Sequence, residues 1–218
     1  MRFLDRSDAG RRLGRELIGY KGQDVLVLAL PRGGVQVAAE IAEALNAPLD
    51  LVLVRKIGAP MQPELAIGAV VDGHTPVVVR NENEIALTGT KPKIFDAICT
   101  RELAEIERRR KLYLGGRPAP NPAGKIVIVV DDGIATGATM RAALQALRQQ
   151  KPKKLILAVP VAPPNTIQSL RAEVDEVACL ECPDHMGAIG YFYADFRQLS
   201  DRNVIDILTR FPEQARAS

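Results

Sequence analysis

The chain has few cysteines, few aromatic residues and no long hydrophobic run. Three cysteines among 218 residues are an odd number and give no disulfide framework. No segment approaches the roughly 18 consecutive apolar residues that would cross a bilayer, and the longest apolar stretch, 155–164, is broken by Pro160. The first residues, Met-Arg-Phe-Leu-Asp-Arg-Ser-Asp, are charged and lack a hydrophobic signal region. Charge of one sign is also scarce in excess. The 29 basic and 26 acidic residues leave a net +3, too even for nucleic-acid binding by bulk electrostatics, while a local basic pocket for an anion is permitted. Low-complexity segments and repeats are absent. These absences lead us to expect a cytoplasmic protein with no membrane or nucleic-acid partner.

What is present is ordinary globular material. Apolar residues make up 47% and charged residues 25%, enough for one α/β domain over residues 1–218 with a real core. Cys179, Cys182 and His185 have the spacing C-x2-C-x2-H, but a structural zinc needs four ligands. The other cysteine and the other histidine lie far away in sequence. We read a core cysteine and a loop cysteine.

The hydrophobic pattern alternates strands and helices. Continuous apolar runs at 24–30, 49–54, 126–130, 154–160 and 176–180 predict buried strands. Helices are predicted over 7–18, 35–45, 93–114, 138–149, 165–172 and 201–208. Val37, Ile41 and Leu45 repeat at i, i+4, i+8, and Met140, Ala143, Leu144 and Leu147 form a second stripe. Glu105/Arg109 and Glu107/Lys111 are i,i+4 pairs with the acid N-terminal. Asp72-Gly73 predicts a hairpin turn between strands at 66–71 and 76–80. The Pro/Gly-rich segment 115–124 joins a helix to a strand within one domain. This order specifies an α/β fold, a parallel sheet with helices on both faces. Ligands in such sheets bind beyond the carboxyl ends of the strands. The loops at 31–34, 55–63 and 131–139 are expected there.

The loop at 131–139 carries the most chemistry. Four β-branched residues, Val127-Ile-Val-Val130, run into Asp131-Asp132, then into Gly-Ile-Ala-Thr-Gly-Ala-Thr139 and a helix. Gly133 and Gly137 allow a tight turn and close approach to a ligand. Thr136, Thr139 and the successive amides at a helix start form an anion site. The carboxylates cannot bind phosphate, but they can accept from vicinal hydroxyls or hold a metal that does. Acids beside a phosphate nest describe a ribose 5-phosphate. No lysine lies in the loop, so it is no Walker loop, and G-x-G-x-x-G is absent.

Val129-Val-Asp-Asp-Gly-Ile-Ala-Thr-Gly-Ala-Thr-Met140 resembles the phosphoribosyl pyrophosphate signature of the type I phosphoribosyltransferases, in a form similar to the adenine enzymes. Leu30-Pro-Arg-Gly-Gly-Val35 resembles the family's pyrophosphate loop, and Val54-Arg-Lys56 its basic position. The likeness covers most of 24–160, and the whole chain is most similar to a bacterial group known only provisionally as phosphoribosyltransferases.

The resemblance implies that fold with a core at about 24–160. It also implies a small hood made by about 181–218 with the N-terminal segment. Asp131, Asp132, Arg32 and Lys56 would be the catalytic residues, the two aspartates holding the ribose hydroxyls and helping place Mg²⁺. Ala135, Thr136, Gly137, Ala138 and Thr139 would cradle the 5′-phosphate. Arg32, Gly33, Gly34, Arg55 and Lys56 would bind pyrophosphate, with a cis peptide at Arg32-Gly33. Ile134, Met186 and Tyr191 would border the acceptor pocket. A lid would lie within 57–84, where the turn-rich stretch 58–64 holds Glu64. The implied reaction transfers a phosphoribosyl group to a nitrogenous acceptor, and the implied assembly is a homodimer. The alternative is a sensor of the same donor without catalysis; a weaker rival uses water as acceptor. Ala135 stands where hypoxanthine/guanine enzymes carry an aspartate base, which argues against that specificity. The aromatic cluster Tyr191, Phe192, Tyr193 and Phe196, in a chain only 4% aromatic, is open to reading as hood or as a satellite core.

Overall fold

The computed structural model describes residues 2–73 and 75–211, so residues 212–218 of the expected hood lie outside the described residues. Along the chain run α1 (Arg6–Glu16), β1 (Val25–Ala29), α2 (Gly33–Leu45), β2 (Leu49–Leu51), β3 (Val54–Ala59), β4 (Gln62–Val71) and β5 (Val77–Arg80). Then come α3 (Glu82–Thr88), α4 (Pro92–Leu114), β6 (Ile126–Val130), α5 (Ala138–Gln149), β7 (Lys154–Val161), α6 (Pro164–Leu170), β8 (Glu176–Glu181) and α7 (Asp201–Leu208).

The main sheet has the order β2-β1-β6-β7-β8, and every pairing in it is parallel. Successive side chains of a strand point to opposite faces. Val25, Val27, Ala29, Ile126, Ile128 and Val130 face α2, while Leu26, Leu28, Val127 and Val129 face α5. Both faces are covered, and for that reason β1 and β6 read as unbroken apolar runs. The predicted stripes of α2 and α5 are buried as expected. Among the described residues, no helix is long and apolar enough to cross a membrane.

A second sheet, order β3-β4-β5, is antiparallel. The expected hairpin is present, with Val71 opposite Val77 and Gly68 opposite Arg80. Two readings need correction. The run 49–54 is not one strand: β2 ends at Leu51 and β3 begins at Val54 in the other sheet. The run stays apolar because Val52 and Leu53 are buried while the chain changes sheets. The loop expected at 55–63 is not a loop either. It is the β3–β4 hairpin, with Ala59 opposite Gln62, so that Pro60 and Met61 make the turn. β3 alternates, turning Arg55 to Glu102 of α4 at 2.8 Å and Lys56 to Glu64 at 3.1 Å.

A buried charge cluster fastens this arm. Arg110 of α4 meets Asp50 of β2 at 3.0 Å and Asp72 at 2.8 Å, and Arg117 meets Asp50 at 3.1 Å. Asp72 also accepts from the Leu53 amide at 2.5 Å. It is thus more than the turn residue its Asp-Gly context suggests. Burial, ahead of the opposing Arg110 charge, pushes Asp72 up from 3.8 to about 6. The folded chain therefore holds this proton more tightly than the unfolded chain. The stability so contributed is complete below the ordinary value and is lost as pH rises through about 6. In Asp72→Asn the fall in unfolding free energy between pH 4 and pH 7 should shrink by about 2 kcal/mol. Urea unfolding of both proteins at the two pH values measures this; identical pH dependence would assign the proton elsewhere.

Candidate active site

The site lies at the carboxyl edge of the main sheet. β1 leads into Pro31–Arg32 and the start of α2, and β6 leads into Asp131–Gly137 and the start of α5. The first loop is seated on the second. A Cβ on Gly33 would collide with Oδ2 of Asp132, and one on Gly34 would lie 2.7 Å from the Val130 carbonyl and 2.9 Å from Cα of Asp131. Glycine is required at both positions because the acid pair occupies the space. The cis peptide anticipated at Arg32-Gly33 is found one bond earlier, at Pro31-Arg32. The Arg32 side chain turns toward α7, 3.8 Å from Asp201, which also accepts from the Tyr113 hydroxyl at 2.7 Å.

The acid pair is asymmetric. Asp132 forms an ion pair with Arg6 of α1, Nε to Oδ2 at 2.7 Å, and its carbonyl accepts from the Tyr193 hydroxyl at 2.5 Å. Asp131 accepts from the Asp132 amide at 2.8 Å. Burial, followed by the adjacent Asp132 charge, pushes Asp131 well above the usual carboxylate range. Tyr193 is pushed up in the same way, first by burial and then by Asp132. Two carboxylates this close cannot both stay charged without cost.

Beyond the acids the loop runs into the start of α5. Gly137 adopts φ 79° before the first turn of α5, where the leading amides of any helix lack intrahelical acceptors. Thr166 of α6 braces the loop by donating to the Ala135 carbonyl at 2.8 Å. Ala135 and Thr136 line a cavity of about 990 Å³ together with Thr166, Asp184, His185 and Met186. Ala138 and Thr139 line another, of about 540 Å³, with Lys56, Arg80 and Arg141. Lys56 thus shares a cavity with the start of α5, whereas Arg55 faces α4. Ile134 is buried in the core and Met186 lines the larger cavity. Tyr191 is 74% exposed and its ring lies over Gly187. Cys179 and Cys182 place their sulfurs 3.4 Å apart, and among the described residues no group of three metal-binding side chains forms.

The described part of the segment expected as a hood packs on the first residues of the chain. Phe3 bridges to Tyr193, with Phe3 N–H to Phe192 O and Ala194 N–H to Phe3 O both at 2.8 Å. Phe3, Ala9 and Tyr193 form their own small core, with Phe192 and Phe196 packed on it. Sequence reasoning grouped these aromatics but missed Arg6, Tyr193 and Thr166 as contacts of the acid loop. No local pattern separates Arg6 from its neighbours Arg2, Arg11 and Arg12.

Paired acids and a helix start thus meet at the carboxyl edge of a parallel sheet, the edge where α/β proteins bind ligands. The phosphoribosyl transferase domain model matches residues 4–197, and the chain belongs to that family. Two relatives from Mycobacterium tuberculosis, strains CDC 1551 and H37Rv, provisionally named phosphoribosyl transferases, are each 44% identical over 208 residues. The match covers 95% of this chain but 46% of each relative, so the chain spans about half their length. Among solved structures, TT1426 from Thermus thermophilus superposes with a TM-score of 0.84 at 40% identity, over 98% of this chain and 100% of that one. The AQ2163 protein from Aquifex aeolicus, at 13% identity and TM-score 0.50 over 85% of this chain and 78% of that one, shares the fold.

Replacing Gly34 tests the seating of the two loops. Gly34→Ala should lower stability by about 1–3 kcal/mol through overpacking against backbone that has no room to give. Urea unfolding reads this, and an unchanged midpoint would mean that the loop does not rest on the acids.

Proposed function

We propose that this chain transfers a 5-phosphoribosyl group from phosphoribosyl pyrophosphate to a nitrogenous acceptor and releases pyrophosphate. One observation carries the reading: the double-glycine loop is packed on an acid pair that opens directly into a helix-start nest. Together these parts match a ligand with a phosphate, a vicinal diol and a second anionic group.

Displacement at the anomeric carbon leaves an electron-poor ribose and a multiply charged leaving group. The site must therefore neutralise pyrophosphate and exclude water. In this reading the amides of 135–139 and the Thr136 and Thr139 hydroxyls hold the 5′-phosphate. Asp131 and Asp132 accept from the ribose hydroxyls. The backbone at Arg32–Gly34 binds pyrophosphate, and Lys56 contributes charge once it leaves Glu64. The aspartate oxygens also suit Mg²⁺, a hard cation that keeps waters and phosphate oxygens as its other ligands. When bound, it would supply charge neutralisation of the pyrophosphate. The acceptor occupies the cavity beside Ala135. Ala135 has no proton acceptor, so the acceptor's proton goes to Asp184 or His185, both of which line that cavity.

Calorimetry with phosphoribosyl pyrophosphate and Mg²⁺ should show saturable binding, and Asp131→Asn with Asp132→Asn should weaken it at least about tenfold, as loss of charge-assisted hydrogen bonds requires. A folded wild-type protein that does not bind the donor sinks the reading. A screen of nucleobases and amines for pyrophosphate release then identifies the acceptor. Binding without turnover across that screen would favour a donor-sensing role.

A further inference from the structure

We propose that Arg6 is a positioning residue of the donor site: it is the counter-cation of the acid pair and anchors Asp132 to the hood. The ligand in this role comes from the transferase reading; the contacts stand without it.

Arg6 is 6% exposed and is fixed from three directions. Its Nε donates to Asp132 Oδ2 at 2.7 Å, its Nη1 donates to the Arg197 carbonyl at 2.9 Å, and its guanidinium lies 3.9 Å over the Phe196 ring. Phe196 stacks on Tyr193 with ring centroids 4.9 Å apart, and the Tyr193 hydroxyl returns to the Asp132 carbonyl. The contacts close a ring: Arg6, Asp132, Tyr193, Phe196 and Arg6 again. Asp132 is held at both its side chain and its backbone by segments from opposite ends of the chain.

This arrangement divides the work of the carboxylates. Asp132 Oδ2 is taken by Arg6 and pressed against Gly33. A diol must then be met by Asp132 Oδ1 and by Asp131. The ionisable groups around the pair are Arg6 from α1, Tyr193 from the hood and, acting on Arg6, Asp195. Arg6 is the cation among them, and its ion pair fixes the Asp132 carboxylate in place. A planar, stacked, forked donor performs this positioning; a lysine supplies charge without the fork.

The test uses the full chain and two variants. In the ligand-free protein, amide NMR should show the Asp132, Gly33 and Gly34 signals displaced in Arg6→Gln and Arg6→Lys while those of β7 stay in place; unmoved signals at all three overturn the anchoring role. Calorimetry with phosphoribosyl pyrophosphate and Mg²⁺ should show at least about tenfold weaker binding in Arg6→Lys, because charge is kept and position is lost. Wild-type affinity in Arg6→Lys overturns the positioning role, and this arm decides the matter even where Arg6→Gln fails to fold. If the wild-type protein binds no donor, the transferase reading falls while the amide signals still decide Arg6. If it binds and neither variant differs, Arg6 falls and the transferase reading stands.

Discussion

The fixed position of one carboxylate, Asp132, is the constraint on which the site depends. Its oxygen fills the space in front of Gly33, so the loop after β1 has its shape only while Asp132 stays where it is. A buried charge needs a partner and hydrogen bonds to remain in place. Arg6 and the Tyr193 hydroxyl meet that need from segments that share no secondary structure with the β6 loop. The small aromatic core of Phe3, Tyr193 and Phe196 therefore does more than fill volume. It sets the distance from which Arg6 and Tyr193 reach the acids.

The two sheets have separate duties. The parallel sheet fixes the β1 and β6 loops relative to each other through register: Ala29 lies opposite Val130 and both strands end together. The antiparallel arm brings Lys56 to the cavity beside the start of α5. Its attachment is electrostatic as well as apolar, through Arg110 between Asp50 and Asp72. A buried ion cluster is a weak source of net stability but a strict one of geometry, since misplacing either partner leaves a charge unpaired.

The parts legible in the sequence are those whose cause is local. Val127 to Val130 cannot be exposed, and the acids and glycines that follow state their chemistry in order. The same holds for the α2 and α5 stripes. What was not legible depends on contacts between distant residues. Arg6 carries no sign that sets it apart from Arg2, Arg11 or Arg12. Asp72 followed by Gly73 reads as a turn, and only its burial against Arg110 gives it another role. The sheet change at Val52–Leu53 leaves no mark because both sides of it are buried. The helix α3 did carry a signal: Asn81 accepts from the Glu84 amide at 3.4 Å, an N-cap pattern that the hydrophobic periodicity alone passes over.

The ring around Asp132 also bears on how the molecule reaches its native state. Arg6 and Asp132 are 126 residues apart, Arg6 and Arg197 191 apart, and Tyr193 and Asp132 61 apart. Closure over such separations costs loop entropy before any contact is gained, and chains rich in such pairings fold slowly. The counter-charge of the acid pair and the hydroxyl that holds its backbone are therefore supplied by segments that only the finished tertiary fold brings beside it.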